Sequence, residues 1–280
     1  MRKSKYSISD ILNDGILRIF MIFLIVISLC PFVYMLLISF MDTTSMKLTI
    51  EKIITAKWTI DNYTGLIGKD GGVFRFALNS AIVTVYACVV TDLVSVMAAY
   101  AFAKKKFFGR DKIFYVFLMS MMIPSQAILI PTFLICKKMG ILNTYTVLAL
   151  PTINAFGVIL IRSFMKNVPN DLLEAADIDG CGEIRKFVSI VLPLVKPVLI
   201  SLTIFTFINV WGSLLWPLVV ASGDKATLTP AIANMKNAMS VTNYGAMMAA
   251  TTLAFLPPFI LYLILQKQFV EGIALSGIKG

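Results

Sequence analysis

One apolar stretch of the chain carries an amide and two indole rings, at positions 209, 211 and 216. Aromatic faces stack on the C–H surfaces of sugar rings and amides bond hydroxyl groups, so Asn209, Trp211 and Trp216 suit carbohydrate recognition. The same residue types also suit an aromatic belt at a membrane surface, and Trp216 fits that role equally well. Gln126 and Asn154 are further amides in apolar segments, where they can face a substrate path or hydrogen-bond between helices. Both interpretations stay open for these residues.

Groups that could catalyse a reaction are scarce. The sequence contains no histidine, which removes the commonest general base and metal ligand and disfavours hydrolytic chemistry. Its four cysteines form no CxxC pair, so neither a zinc site nor a disulfide framework is indicated. A GxxxxGK[ST] phosphate loop is also absent from the sequence. We therefore expect a protein that is not an enzyme and has no metal or cofactor of its own.

Asp92 is an acidic residue deep inside an apolar segment. A carboxyl group in hydrocarbon is expensive and often functional, either paired with another group or facing water. It can also be a packing residue near one membrane surface, bonded to a neighbouring Ser, Thr or Lys. Because only eleven residues separate it from Lys104, a structural role is favoured.

The elements that must position these groups are apolar helices. Hydrophobic residues make up 58% of the 280 residues and charged residues 14%. Soluble domains carry roughly 25% charged residues, so the composition indicates an integral membrane protein. A hydrocarbon core of about 30 Å takes roughly 20 helical residues. Six apolar segments are long enough, namely residues 19–41, 76–103, 113–136, 139–161, 197–223 and 237–266. Only Asp92 interrupts the segment 76–103. We predict an all-α polytopic fold, a bundle of six transmembrane helices.

Prolines are expected to bend or interrupt two of these spans. Pro31 is expected to kink the first, and Pro124 and Pro131 to interrupt the third. Proline inside lipid is tolerated where neighbouring helices satisfy the freed carbonyl groups. These breaks therefore favour helices that are packed in a bundle.

The distribution of basic residues predicts the topology. The net charge of +10 could suggest a nucleic-acid partner, but 16 of the 25 Lys and Arg residues lie near the two termini and in loops 104–112 and 162–196. This excess matches the positive-inside rule if both termini are cytoplasmic, so no nucleic acid is expected. The predicted organisation is a cytoplasmic arm at 1–18, one transmembrane domain at 19–270 and a cytoplasmic tail at 271–280.

The longest polar interval in the second half of the chain is residues 170–193, NDLLEAADIDGCGEIRKFVSIVLP. Asn170 suits the N-cap position of a short helix with carboxylates in its first turn. Gly180 is expected to end that helix at a positive φ. A second short helix from Glu183 then leads to Pro193. The interval predicts a helix–turn–helix outside the membrane that offers a small-residue face and acidic groups to a partner.

The spacing in this interval resembles the EAA loop of permeases from ATP-binding-cassette importers. An EAA triplet is followed after three residues by glycine, after nine more by isoleucine, and after one more by Leu-Pro. The resemblance assigns contact with an ATPase to Glu174, Ala175, Ala176, Asp179, Gly180, Ile190, Leu192 and Pro193. Other stretches resemble the second permease of maltose-type carbohydrate importers, including AAYAFAKKKFFGRD, MMIPSQAILIPTF, MAATTLAFLPP and QFVEGIALSGIKG. One departure is Gly212, where that family usually has asparagine after the tryptophan.

The resemblance implies a permease of an ATP-driven importer for a sugar, with an oligosaccharide favoured, in a bacterial plasma (inner) membrane. Its implied partners are a homologous second permease in a heterodimer, two ATPase subunits that bind ATP and magnesium, and an extracytoplasmic solute-binding protein. The EAA loops would act as levers in alternating access. Glycerol phosphate or an amino sugar is an alternative substrate. An ion-coupled secondary transporter is less favoured, because it needs more intramembrane charges and usually has repeated halves. A membrane-embedded enzyme is also less favoured, because this sequence has no paired intramembrane acids.

Overall fold

The computed structural model describes residues 8–45, 47, 49–67, 72–238 and 243–277. The regular structure of these residues is helical, with one isolated antiparallel bridge between Met41 and Trp58, so the predicted all-α class is confirmed. The helices of the first half are α1 (Ile8–Ser39), α2 (Ile50–Thr55), α3 (Asp61–Thr64), α4 (Gly72–Lys104), α5 (Arg110–Ser120), α6 (Leu129–Lys138) and α7 (Tyr145–Ala149). Those of the second half are α8 (Ala155–Met165), α9 (Asp171–Ile178), α10 (Glu183–Lys186), α11 (Leu192–Leu194), α12 (Lys196–Trp211), α13 (Leu215–Val220), α14 (Leu228–Ala238) and α15 (Tyr244–Gly277).

Helices that are long and apolar enough to cross a membrane account for most of the predicted spans. In the described part of the chain there are four, which run over Asp14–Ser39, Gly72–Lys104, Glu183–Trp211 and Tyr244–Gln266. A bent pair, Tyr145–Thr152 with Ala155–Met165, whose halves meet at 49°, gives a fifth if the two halves count as one span. The bend lies where the Asn154 side chain accepts a hydrogen bond from Phe156 N and caps α8. A capped helix end between the two halves explains the break.

The predicted third span, residues 113–136, is divided between two helices. Helix α5 ends at Ser120 and α6 begins at Leu129, and the exposed residues 121–128 form turns between them. Pro124 lies in this connection and disfavours a helical conformation for the residue before it. Because α5 and α6 are each too short to cross the hydrocarbon core alone, the count of six spans stays a prediction.

The chain divides into two compact units. Unit one consists of Met1–Gly68 and Met235–Leu253, and unit two consists of Lys69–Asn234 and Ala254–Gly280. In unit one, α1 presents large apolar side chains along its exposed length, for example Ile19 at 70% exposure. A helix that is apolar all round and unburied is typical of one that faces lipid or another membrane subunit.

Asn62 anchors the loop that follows α1 in unit one. It is 5% exposed, and its Nδ2 donates to the carbonyl oxygens of Ser39 and Met41, each at 2.9 Å. The start of α15 lies against the same point, because a Cβ on Gly245 would clash with Met41 O and with Asn62 Nδ2. Glycine at position 245 thus permits the close approach of these two backbone segments.

The core of unit two forms where α4 packs against α8 and α12. Its buried residues are Val96, Ala99, Tyr100, Ile161, Met165, Val168, Val191, Val195, Val198 and Leu202. The helices pack closely at Gly157 of α8, where a Cβ would clash with Ser95 Oγ and lie 3.0 Å from Leu202 Cδ2. Small residues at such crossings let membrane helices pack closely. Helix α4 is therefore a central element of unit two.

Candidate functional site

Helix α9 forms the first arm of the predicted helix–turn–helix. It runs over Asp171–Ile178 and has Asp171 and Glu174 in its first turn, where carboxylates complement the helix dipole. Asn170 stands at the N-cap position, but its side chain makes no capping hydrogen bond, so that part of the prediction is wrong. Its Oδ1 instead accepts a hydrogen bond from Lys104 Nζ at 2.8 Å. A bond to an ammonium group is stronger than one to a neutral amide, which explains the exchange.

The turn after α9 is set by Gly180. Its φ is +72°, which confirms the predicted left-handed conformation. The amide of Gly180 donates to Asp177 O at 3.1 Å, and the amide of Cys181 donates to Ala176 O at 2.8 Å. This pair of bonds is the Schellman arrangement, in which a residue with positive φ reverses the chain and satisfies the last carbonyl groups of a helix. The direction of the second arm therefore depends on the conformation of Gly180.

The second arm differs from the predicted short helix that leads to Pro193. Helix α10 continues through a π-helical turn, Phe187–Val191, into α11 and α12, and the candidate span Glu183–Trp211 starts in the loop itself. Pro193 lies in the first turn of α11, where a missing N–H leaves few helical hydrogen bonds unmade. The loop is thus connected to a membrane helix by nearly continuous helical backbone.

The residues that match the EAA spacing differ in how far they are exposed. Glu174, Ala175, Asp179, Gly180 and Pro193 are exposed, Ile190 and Leu192 are half-buried, and Ala176 is buried. Leu192 packs against the core of unit two, so it contributes to folding as well as to the loop. Apart from Pro193 in α11, the exposed members lie on α9 and its turn, on the surface that remains available for a partner.

Two large apolar side chains protrude from the same loop. Ile178 at the end of α9 is 88% exposed, and Ile184 in α10 is 81% exposed. An open groove of about 710 Å³ adjoins Ile184 and is lined by Gly182, Glu183, Ile184, Arg185, Val188 and Ser189. Exposed apolar patches rimmed by polar residues are typical of protein interaction surfaces. Ile178, Ile184 and this groove are called the docking face below.

A cluster of charged side chains that joins this loop to α4 was not predicted from the sequence. Glu183 lies at its centre, paired with Lys105 Nζ and accepting a hydrogen bond from Tyr100 OH at 3.1 Å. Partial burial opposes the charge of Lys105, but its hydrogen bonds with Glu183 and Tyr100 outweigh burial and raise its pKa above the ordinary value. The sequence signal for this cluster is the basic run at 104–106, which the positive-inside rule explains without any such contact.

The amides proposed for a substrate path are exposed. Asn209 lies on α12 and its Nδ2 donates to Phe205 O of the same helix at 2.8 Å. Asn154 is exposed at the start of α8, which it caps. Gln126 lies in the exposed connection between α5 and α6. These side chains bond only locally or within their own helices in the contacts described above, so each keeps polar atoms available for other partners.

The two indole rings are placed differently. Trp211 is 7% exposed, its Nε1 donates to Ala254 O at 2.8 Å, and its ring stacks on Phe207 with centroids 5.7 Å apart. Trp216 is half-buried and its Nε1 donates to Val147 O at 2.8 Å. Both indole N–H groups therefore stabilise contacts within unit two, and any contact with a sugar would use the remaining ring surface.

Asp92 links two helices of unit two. Thr203 Oγ1 of α12 donates to Asp92 Oδ2 at 2.5 Å, which confirms the expected bond to a neighbouring threonine. Asp92 Oδ1 is buried without a hydrogen-bond partner among the described residues. The contact joins α4 to α12 away from the helix–turn–helix.

The chain matches the model of one protein family over residues 93–274, described as the binding-protein-dependent transport system inner membrane component. It is 32% identical over 262 residues to the arabinooligosaccharides transport system permease protein AraQ of Halalkalibacterium halodurans, which covers 92% of this chain and 94% of that protein. It is 34% identical over 213 residues to the sn-glycerol-3-phosphate transport system permease protein UgpE of Yersinia pestis, covering 74% of this chain and 75% of that protein.

A similar fold occurs in a solved structure. In the crystal structure of a bacterial ABC transporter involved in the import of the acidic polysaccharide alginate, one chain superposes with a TM-score of 0.77. The sequences are 20% identical, and the alignment covers 95% of this chain and 100% of the other. This likeness concerns the fold.

Proposed function

The chain belongs to the binding-protein-dependent transport system inner membrane component family, and we propose that it is the permease subunit of an ATP-driven sugar importer. An oligosaccharide is the favoured substrate class, in keeping with the arabinooligosaccharides that name one relative and the alginate of the structural neighbour. The permease pairs with a homologous second permease in a bacterial plasma (inner) membrane, with both termini cytoplasmic. It works by alternating access.

The docking face is the observation that carries this proposal. Ile178 and Ile184 are exposed on a loop rich in charged residues, where lipid is not expected to cover them. Burial of one such side chain contributes roughly 1.5–3 kcal/mol, which favours a protein partner. That partner is an ATP-binding-cassette ATPase, and the loop at residues 170–193 is called the coupling loop below. Two ATPase subunits close on ATP and magnesium and move the coupling loops, and a solute-binding protein delivers the sugar from outside.

An Ile184→Asp variant tests the docking face. The substitution removes an apolar contact and places a carboxylate in a site that becomes buried on docking, so affinity for the ATPase should fall by about thirtyfold for a loss of about 2 kcal/mol. The measurement is the amount of ATPase that co-purifies with a tagged permease expressed together with its neighbouring subunits. Wild-type complexes should also hydrolyse ATP faster when the solute-binding protein is added.

The matched control for this variant is Ile60→Asp. Ile60 is 64% exposed in the loop after α1, at the N-cap of α3, where aspartate is well tolerated. It should leave co-purification unchanged. Equal ATPase recovery with Ile184→Asp and wild-type permease would refute docking at this face.

The second candidate substrate is sn-glycerol 3-phosphate, because a relative of 34% identity is named for it. The exposed side chains proposed for the path are neutral amides, namely Asn209, Asn154 and Gln126. Amides suit hydroxyl groups, whereas phosphate is usually bound by Arg, Lys or a helix N-terminus. Uptake of labelled arabinooligosaccharide and of labelled glycerol 3-phosphate by the same reconstituted complex separates the two substrates.

Substitutions in α12 separate a path residue from a packing residue. Asn209→Ala should leave membrane abundance unchanged and lower uptake by about fivefold, the effect of one lost hydrogen bond of about 1 kcal/mol. Trp211→Ala removes a buried ring and a hydrogen bond, costs about 3–5 kcal/mol, and should lower the abundance itself. Quantitative immunoblots of membranes alongside uptake measure both effects. Unchanged uptake by Asn209→Ala with every candidate sugar would assign that residue to packing.

A further inference from the structure

Five side chains tie the two arms of the coupling loop to each other and to the end of α4. Buried Lys186 places its Nζ 2.5 Å from Asp177 Oδ1 of α9 and 2.5 Å from Glu183 Oε1 of α10. The other oxygen of Glu183 pairs with Lys105 and accepts the hydrogen bond from Tyr100. One oxygen of Glu183 therefore pairs with Lys186, which also pairs with Asp177 of α9, and the other oxygen pairs with Lys105 at the end of α4. These five residues are called the brace.

A second set of contacts joins α4 to the beginning of the loop. Lys104 Nζ donates to Val168 O at 2.6 Å and to Asn170 Oδ1 at 2.8 Å. The ring of Tyr100 also packs against Phe187 with centroids 5.3 Å apart. The end of α4 thus contacts the loop where its first arm begins and again along its second arm.

The two membrane helices beside the loop differ in how they are attached to it. Helix α12 follows α10 through nearly continuous helical backbone, so it must respond to any movement of the loop. Helix α4 is far from the loop in sequence and is held to it by side-chain contacts. Because α4 also packs against α8 and α12 in the core of unit two, its movement would carry that core along.

We propose that the brace makes α4 and the coupling loop move as one rigid piece, so that ATPase movement enters the bundle through α4 as well as through α12. Lys105 and Glu183 are positioning residues in this device, since they contact neither the sugar nor ATP. The device rests on the proposed function, because it needs an ATPase on the docking face.

The brace is suited to coupling more than to stability. The side chains of Lys105 and Glu183 are 38% and 56% exposed, and ion pairs with this exposure contribute little to folding. The apolar core and the bond from Thr203 to Asp92 continue to hold α4 to its neighbours when the brace is broken. Loss of the brace should therefore appear in the yield of transport per ATP, with normal abundance.

The first test compares two neighbouring lysines in the complete importer reconstituted in liposomes. Lys105→Gln removes the ion pair with Glu183, whereas Lys106→Gln makes the same change at an exposed residue outside the brace. Both variants should bind the ATPase and hydrolyse ATP as the wild type does. Sugar taken up per ATP hydrolysed should fall by about fivefold or more for Lys105→Gln alone, the effect of one lost charge-assisted hydrogen bond. Equal amounts of sugar taken up per ATP by both variants would contradict the coupling role proposed for the brace.

A covalent link gives the converse test. Lys105→Cys and Glu183→Cys are combined after replacement of the native thiols Cys30, Cys88, Cys136 and Cys181 by alanine. The unlinked protein should take up little sugar per ATP hydrolysed. A short bis-maleimide linker should return this yield to the wild-type level, because a rigid joint replaces the ion pair. Continued ATP hydrolysis with low uptake after linking would mean that this contact must open in each cycle, and would overturn the brace. Wild-type complexes without any ATPase would refute the proposed function itself.

Discussion

A Gly180→Val variant is expected to reach the membrane at wild-type levels and to lose most of its uptake activity. Gly180 holds the turn of the coupling loop at φ +72°, a region in which a β-branched residue is a genuine outlier. The strain costs about 1–2 kcal/mol, which is enough for the turn to rearrange. Ile178 and Ile184 lie on opposite sides of this turn, so its rearrangement separates the two halves of the docking face. Uptake should fall by about tenfold or more.

Gly182→Val is the matched control, two residues away. A Cβ would meet nothing within 4 Å at either glycine, but Gly182 has φ −68° and ψ 160°, which valine adopts readily. Gly182→Val should retain most uptake, and Glu174→Ala should lower it mildly. Membrane abundance, co-purified ATPase and uptake are measured on the same samples. If both valine variants fail equally, bulk on the docking face and not the left-handed turn is responsible.

The turn could be predicted because its signals are local. Gly180 and the carbonyl groups that it satisfies lie within a few residues of one another, so their spacing is visible in the sequence. Asn170 shows where local signals fail. Asn170 stands at the predicted N-cap position of α9, but its side chain bonds Lys104, 66 residues earlier in the chain, and does not cap the helix. Nothing in the sequence of residues 170–193 indicates that Lys104 will bond the Asn170 side chain.

The membrane spans also have some features that the sequence predicts and others that it does not. Apolar content predicts which segments lie in the membrane, but it does not predict where a helix bends or ends. The turns at 121–128 are as apolar as the helices around them. The predicted short helix from Glu183 runs on into α12, whose span was predicted to begin only at residue 197, and Lys186 in this stretch is buried with carboxylate partners on α9 and α10. Charges that are paired can be buried at a helix start, and hydropathy alone counts them as loop.

The indole of Trp211 could not be assigned from the sequence for a related reason. Its N–H reaches Ala254 on α15, and the packing of α12 against that helix decides whether the ring is buried. Asn209 is two residues earlier on α12 and is exposed, because side chains so spaced lie on different faces of a helix. Residue type indicated sugar chemistry for both, and only helix packing separates them.

A Gly157→Val variant is expected to reach the membrane at several-fold lower abundance than the wild type. Helices α8 and α4 pack closely at Gly157, and even a single Cβ there would clash with Ser95 Oγ. The same atom would lie 3.0 Å from Leu202 Cδ2 on α12, so three helices meet at this residue. Overpacking of a core in this way costs about 1–3 kcal/mol, and a loss of that size lowers cellular abundance several-fold. Immunoblots of isolated membranes measure the effect.

Ser163→Val controls for the substitution itself, because Ser163 is exposed on the same helix and should tolerate valine. A compensating pair tests the contact. Gly157→Ala alone should lower abundance, and Ser95→Gly in the same chain should restore part of it, since it removes both atoms of Ser95 that a Cβ at position 157 would meet. The remaining contact with Leu202 makes the rescue incomplete. Equal abundance of Gly157→Ala with and without Ser95→Gly would show that the two helices do not meet at this point, and α4 could not then transmit movement of the coupling loop to α8 there.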